Sequence, residues 1–362
     1  MSIFNKDLLD QILVKAQISG ASDVHISTDL QPHARINGDI LKLADFEKIS
    51  GKDIVDTIGM ITSKYVQTKL VNDFQSDFGY YNEKNKTRYR VNAFRSRIGF
   101  CLAFRQLNTK IPELEKAGFP EIITKISNLE KGLILVCGPT GSGKTTTLAT
   151  IIDYLNRKKR KHIITIEDPI EYLYEPKESL IDQREVGKNV LSFADGLKGA
   201  LREDPDIILI GEMRDKETIK MALTAAETGH LVFGTLHTMS ASKTIDRIID
   251  SCDVGEKDVI RSMLSTSLQA IILQTLFKKN DGSGRVPAFE VLLGINSVRN
   301  LIRENKIYQI DNIIQTSSKF GMISMDDYIE DLVKKNLVDK YDVMSRISKI
   351  DEEKFESKSS IF

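Results

Sequence analysis

The sequence predicts an α/β protein in three parts: a small α/β domain, a doubly wound α/β core and a helical C-terminal segment. Three observations predict it. Residues Gly138-Pro139-Thr140-Gly141-Ser142-Gly143-Lys144-Thr145 satisfy the pattern G-x-x-x-x-G-K-[ST] at every fixed position. The apolar run 132–137 before them reads as a buried strand. Residues 146–156 after them read as a helix, with Leu148, Ile151, Ile152 and Leu155 at i, i+3, i+4 and i+7. From about Pro120 to about Val286, four β-like runs (132–137, 162–166, 207–210 and 231–236) alternate with helical patterns, the signature of an α/β core.

The elements follow in order. Leu8, Leu9, Ile12, Leu13 and Ala16 make an amphipathic first helix that stops near Gly20. Strand-like pieces come next at 23–27, 33–37 and 88–94, with Asn37-Gly38-Asp39 as a hairpin signal and a helical stretch over 53–70. These form a first domain, 1–108. Pro112, Gly118 and Pro120 mark 109–120 as a linker. The core occupies 121–290. A helical segment, 291–350, carries Val298, Leu301, Ile302, Ile307, Ile310, Ile313 and Ile314 at helical spacing. Val298, Leu301 and Ile302 are expected to pack on the chain and leave Arg299 and Arg303 available for contacts. The polar tail 351–362 is expected to fray.

Composition excludes several classes. Lys+Arg and Asp+Glu both number 51, giving a formal net charge of zero, unlike a dedicated nucleic-acid binder with its basic surface. The three cysteines, Cys101, Cys137 and Cys252, are scattered and make neither a disulfide framework nor a zinc motif, which points to a reducing cytosol. The charged N-terminus lacks a signal-peptide core, and no apolar run approaches the ~18 residues of a membrane span. A cytoplasmic protein is expected, peripheral to a membrane only through partners.

The glycine loop carries the chemistry. Its glycines let backbone N–H groups approach phosphates, Lys144 neutralises the terminal phosphates and the Thr145 hydroxyl can hold Mg²⁺. Thr146 completes the loop's entry into the helix. No N-K-x-D motif selects guanine, so the expected nucleotide is ATP with Mg²⁺. Ligands in such sheets sit at the carboxyl ends of the strands. The runs 162–166, 207–210 and 231–236 end respectively in Glu167, in Gly211-Glu212 and in His237. Glu212 can orient or deprotonate water. Glu167 can share that task or hold the metal through water, and His237 can bond the γ-phosphate and report its loss. Asp206 precedes its strand, roughly 20 Å from Glu212 along a straight strand, and reads as a loop residue. His230 lies at the opposite end of its strand from His237. Arg88, Arg90, Arg95, Arg97 and Arg105 crowd the end of the first domain; on spacing alone they read as a solvated face.

Several blocks together resemble one family. Gly138 to Thr146, 165–172, 206–215 and 225–238 resemble the Walker A, Asp, Walker B and His boxes of secretion-superfamily hexameric ATPases. The segments 20–26 and 297–304 resemble signatures of the type IV pilus retraction ATPases, the PilT family. Ser297-Val298-Arg299 departs from that family's usual Ala-Ile-Arg, and Met239 stands where a small polar residue is commoner. The resemblance implies a PAS-like first domain, a RecA-like core and a homohexameric ring that hydrolyses ATP to retract pili and drive twitching motility. It implies an inner-membrane pilus platform protein and the pilus base as partners, a place at the cytoplasmic face of the inner membrane, and no nucleic acid. It also changes the arginine assignment, because basic residues of the first domain reach the nucleotide in this family; Arg90 and Arg105 are the matches. The alternatives are an accessory retraction paralogue and a pilus-assembly or type II secretion ATPase. The latter usually adds an N-terminal domain and a tetracysteine zinc insertion.

Overall fold

The computed structural model describes residues 5–107, 110–341 and 343; the tail 351–362 lies outside the described residues. The chain divides into two compact units. One comprises Met1–Phe119 and Ala149–Glu212, the other Pro120–Leu148 and Met213–Phe362.

The first unit opens with α1 (Lys6–Ile18), started by Asn5, whose side chain accepts from the Leu8 N–H. Strands β1 (Ala21–Ser27), β2 (His33–Ile36) and β3 (Asp39–Lys42) follow, then α2 (Gly51–Ile61) and α3 (Lys64–Asp73). The helical stretch expected over 53–70 is two helices. Thr62 is extended, and the Ser63 hydroxyl caps α3 by accepting from the Val66 N–H, which the stretch's apolar spacing does not register. Strands β4 (Gln75–Asn82), β5 (Thr87–Ser96) and β6 (Gly99–Gln106) complete a six-stranded sheet of order β3-β2-β1-β6-β5-β4. Its strands alternate. Val24, Ile26, Val91, Ala93, Leu102 and Phe104 face a core shared with Leu9, Ile12, Leu13 and Ala16 of α1. Each fully buried Val, Leu, Ile or Phe among them contributes about 1.5–3 kcal/mol relative to exposure. The other face carries the charged residues.

Four more elements belong wholly to the same unit: β8 (His162–Glu167), β9 (Leu180–Glu185), α6 (Phe193–Ala200) and β10 (Ile207–Ile210). β8 pairs in parallel with both β9 and β10. The helix after the glycine loop, α5 (Lys144–Lys158), begins in the second unit and ends in the first.

The second unit holds α4 (Glu121–Ser127), β7 (Gly132–Cys137), α7 (Lys216–Glu227), β11 (Leu231–Leu236), α8 (Ala241–Asp250) and α9 (Lys257–Ser267). Beyond them come β12 (Leu268–Lys278), β13 (Arg285–Leu293), α10 (Asn296–Arg303), α11 (Ile310–Thr316) and α12 (Met325–Lys334). Its strands run β13-β12-β7-β11; β7 is parallel to β11 and β12, and β13 is antiparallel to β12. The four expected core strands are present as β7, β8, β10 and β11. β12 and β13 lie outside the strand-like runs that the sequence predicts. α9 runs into β12 without a turn residue between Ser267 and Leu268, and periodicity alone does not tell a buried apolar strand from a helix.

Val298 and Ile302 of α10 are fully buried, as expected. Arg299 is not available for outside contacts, and that expectation is corrected. Its guanidinium donates to the carbonyls of Gly294 (2.5 Å), Ser265 (3.1 Å), Thr266 and Leu268 (3.1 Å) and to Gln269 Oε1 (3.3 Å). Three of these carbonyls are the ones α9 leaves unsatisfied at its C-terminal end, where a cation also meets the negative end of the helix dipole.

Candidate functional site

β7 is buried along its whole length and delivers the glycine loop to the N-terminus of α5. The loop is braced from β12 by Gln274, which is 3% exposed and accepts from the Thr147 hydroxyl at 2.5 Å. Gly138 sits at φ +142°, and a Cβ there would collide with the Gln274 carbonyl; Gly143, at φ +89°, would place one 2.9 Å from Gln274 Nε2. No other residue type passes this close with that backbone. Gln274 has one signal in the sequence, an amide that follows directly on the apolar run Ala270-Ile271-Ile272-Leu273 of β12.

Lys144 is 8% exposed and folds back on the loop, donating to the carbonyls of Gly138 (2.9 Å) and Pro139 (3.0 Å). His237, at the end of β11, places Nδ1 3.5 Å from the Lys144 ammonium. Ser142 carries a buried hydroxyl with no hydrogen-bond partner. A buried, unpartnered donor beside a buried ammonium and the first N–H groups of a helix fits a phosphate chain. Thr140 and Gly141 form the exposed crest, while Pro139, Thr145 and Thr146 are partly buried. Among the described residues no group of three or more His, Cys, Asp and Glu could hold a metal. The Thr145 hydroxyl, partly buried at the start of α5 next to Lys144, is a hard oxygen donor of the kind that would suit Mg²⁺ carried on phosphate oxygens.

The acids lie in the first unit. Glu167, at the end of β8, is 6% exposed and accepts from Thr165 Oγ1 at 2.7 Å and Gln183 Nε2 at 3.3 Å. Burial pushes its carboxyl up to about 7, with the nearby Glu171 charge acting in the same direction, so it sits poised between acid and base. Glu212 follows β10 and is partly buried. Asp206, at the other end of β10, accepts from the His162 N–H (2.9 Å) and from Lys161 Nζ (2.9 Å), the structural role expected of it. His230 hydrogen-bonds the Ala225 carbonyl through Nδ1 at 3.0 Å, local to the end of α7.

The register of β5 and β6 sets Arg90 directly opposite Arg105, on the charged face of the six-stranded sheet. Arg105 donates through Nε to Asp23 at 2.9 Å, and Arg90 lies 4.0 Å from Asp77. Both are exposed. Arg88, two residues before Arg90 on the same face, is buried against Glu185; nothing in the arginine cluster distinguished it beforehand. Of the expected site residues, the structure thus brings Lys144 and His237 together at the loop in one unit. It pairs Arg90 with Arg105 across strands in the other, where Glu167 and Glu212 end neighbouring strands.

Comparison with known proteins gives a consistent result. Residues 2–321 match the family described as Type II/IV secretion system protein. The chain is 47% identical over 330 residues to the Type IV pilus retractation ATPase PilT of Pseudomonas aeruginosa, covering 91% of this chain and 95% of that protein. It is 47% identical over 307 residues to a twitching motility protein of Neisseria gonorrhoeae, covering 85% and 82%. The solved structure titled Crystal Structure of the Pilus Retraction Motor PilT and Bound ADP superposes with a TM-score of 0.85 at 43% identity, covering 96% of this chain and 99% of that one.

Proposed function

The chain belongs to the type II/IV secretion system protein family, and from that premise we propose that it is the ATP-hydrolysing motor of type IV pilus retraction. It is an ATPase. The observation that carries the chemistry is the glycine loop, with Lys144 folded onto its carbonyls and the Ser142 hydroxyl buried beside it. The kinship with a retractation ATPase and with an ADP-bound retraction motor supports the pilus step.

On ATP binding, Lys144 exchanges the Gly138 and Pro139 carbonyls for the terminal phosphates, and the Ser142 hydroxyl and the loop N–H groups take the remaining oxygens. Mg²⁺, when bound, neutralises phosphate charge; the Thr145 hydroxyl would hold it, with Glu167 as a carboxylate reaching it through water. Glu212 orients or deprotonates the attacking water, and Glu167 shares that task. His237 senses the γ-phosphate from beside Lys144. Arg90 and Arg105 act on a nucleotide held by another domain or subunit, the role of an arginine finger.

The domain plan proposed for this motor is a PAS-like domain over 1–108, a linker over 109–120, a RecA-like core over 121–290 and a helical segment over 291–350. It works as a homohexamer at the cytoplasmic face of the inner membrane, on a platform protein and the pilus base. No described helix is long and apolar enough to cross a membrane, which accords with attachment through partners. Deleting the protein tests the direction of work. Cells should become hyperpiliated and lose twitching motility; bare cells would instead assign the chain to pilus assembly.

A further inference from the structure

One buried ion pair lies outside the chemistry described so far. Arg88 of β5 and Glu185 of β9 are 5% and 3% exposed at their side chains and form a salt bridge. Both have further partners. Arg88 Nε also donates to the Ile170 carbonyl, while Glu185 accepts from the Ile170 N–H at 3.2 Å and from the Gly79 N–H at 3.4 Å. Gly79 lies inside β4, where a Cβ would collide with the Arg88 guanidinium and come within 2.8 Å of Glu185 Oε2. A glycine within a strand is expected where another group must approach closely.

A buried ion pair is weak evidence of stabilisation, because desolvation offsets most of its attraction. This one sits where it sets geometry. In the parallel register of β8 and β9, Glu185 is the direct neighbour of Glu167, and the Val186 N–H donates to the Glu167 carbonyl at 2.9 Å. Two residues earlier on β9, Gln183 bonds the Glu167 carboxylate, the Tyr172 carbonyl (2.8 Å) and the Tyr174 N–H (2.9 Å). The segment 168–174 is thus clamped by two alternate residues of one strand, and at Ile170 the clamp extends to the sheet face that presents Arg90 and Arg105.

We propose that Arg88 and Glu185 form a positioning pair for ATP hydrolysis, fixing the segment after Glu167, and with it the Glu167 carboxylate, to the arginine-bearing sheet of the first domain. The inference rests on the assignment of Glu167 to the hydrolytic site. A displacement of the first sheet is then transmitted to Glu167 through Ile170, with neither member of the pair touching nucleotide.

The test uses the full chain with MgATP. In Arg88→Met/Glu185→Leu both charges go at once and no unpaired charge stays buried. The Ile170 N–H and carbonyl and the Gly79 N–H lose their partners, so the melting temperature should fall moderately and the Ile170 amide should exchange with solvent faster. The double variant should lose about tenfold or more in kcat, the scale of a misplaced catalytic group, with KM for ATP within about twofold of wild type. A folded double variant with wild-type kcat overturns the proposal. If that variant does not fold, Arg88→Lys carries the test: the charge pair persists but the Nε contact to Ile170 is lost, so kcat should fall by a smaller factor at unchanged KM. Wild-type kcat in that variant overturns the proposal equally. Glu167→Gln, measured in parallel, separates the two ideas. Wild-type turnover there removes Glu167 from the site and this inference with it, whereas slow turnover there beside a fast double variant refutes the pair alone.

Discussion

At the level of single residues, the loop's geometry states what each substitution should do. Lys144→Ala removes a buried charge that would face the phosphates, so ATP affinity should drop on the order of 10²–10³-fold, the loss expected when one partner of a buried charge pair is truncated; equilibrium titration with a fluorescent ATP analogue measures it. Glu212→Gln keeps the shape but accepts no proton. Nucleotide binding should survive while turnover falls by roughly 10²–10⁴-fold, and wild-type turnover would remove Glu212 from the water-handling role. Glu290 makes a different prediction. It accepts from the Ala241 N–H at the start of α8 (3.0 Å), and burial pushes its carboxyl up to about 7, with Asp311 and Asp326 adding to the rise. Between about 4.5 and 7 the folded state keeps a proton that the unfolded chain has released, so stability falls as pH rises through that window. Glu290→Gln should abolish that part of the decline; its melting temperature relative to wild type should climb from about pH 5 to about pH 7 and level off above that.

At the level of elements, α10 shows how a helix can satisfy its own apolar pattern and still mislead. Its buried Val298 and Ile302 follow from spacing. Its arginine does not, because the carbonyls that Arg299 meets belong to α9 and to residues 268–269 and 294. Arg299→Ala should strip five acceptors of their donor and cost about 3 kcal/mol. By calorimetry the melting temperature should fall roughly 6–12 °C. Arg303 is bonded only within its own helix, to Asn300 Oδ1 at 3.3 Å among the contacts seen, so Arg303→Ala should leave the melting temperature within about 1 °C of wild type. Unequal effects of the two arginines on stability are the signature of this arrangement. Equal effects would return both to the surface.

At the level of the whole molecule, the proposed ring makes the arginines accountable across a junction. Arg90→Lys and Arg105→Lys should each slow turnover with ATP binding intact, since an ammonium lacks the planar fork that can hold phosphate and carboxylate together. If the arginines act between subunits, mixing Lys144→Ala protein with Arg105→Lys protein should restore hydrolysis. In a random equal mixture about a quarter of the junctions join an intact loop to an intact arginine. A mixture no more active than its components would place the arginines on the nucleotide of their own subunit.

The sequence by itself determined the strand–loop–helix at 132–156, the four core strands and the placing of Glu167, Glu212 and His237 at strand ends. Each of these depends on local spacing, or on a motif whose glycines are dictated by backbone conformation. It also determined the family, because several separated boxes agree. Tertiary structure decided the rest. It showed that Gln274 braces the loop, that Arg88 is buried where Arg90 is exposed, that Arg299 serves α9, and that β12 and β13 are strands. The physical reason is common to all four. The partners that fix them lie in other elements of the chain, 127 residues away for Gln274, 82 and 97 for Arg88, 30 to 34 for Arg299 with Gly294 aside, and on neighbouring strands for β12 and β13. Neither charge patterning nor a period of 2.0 or 3.6 carries information from one element to another.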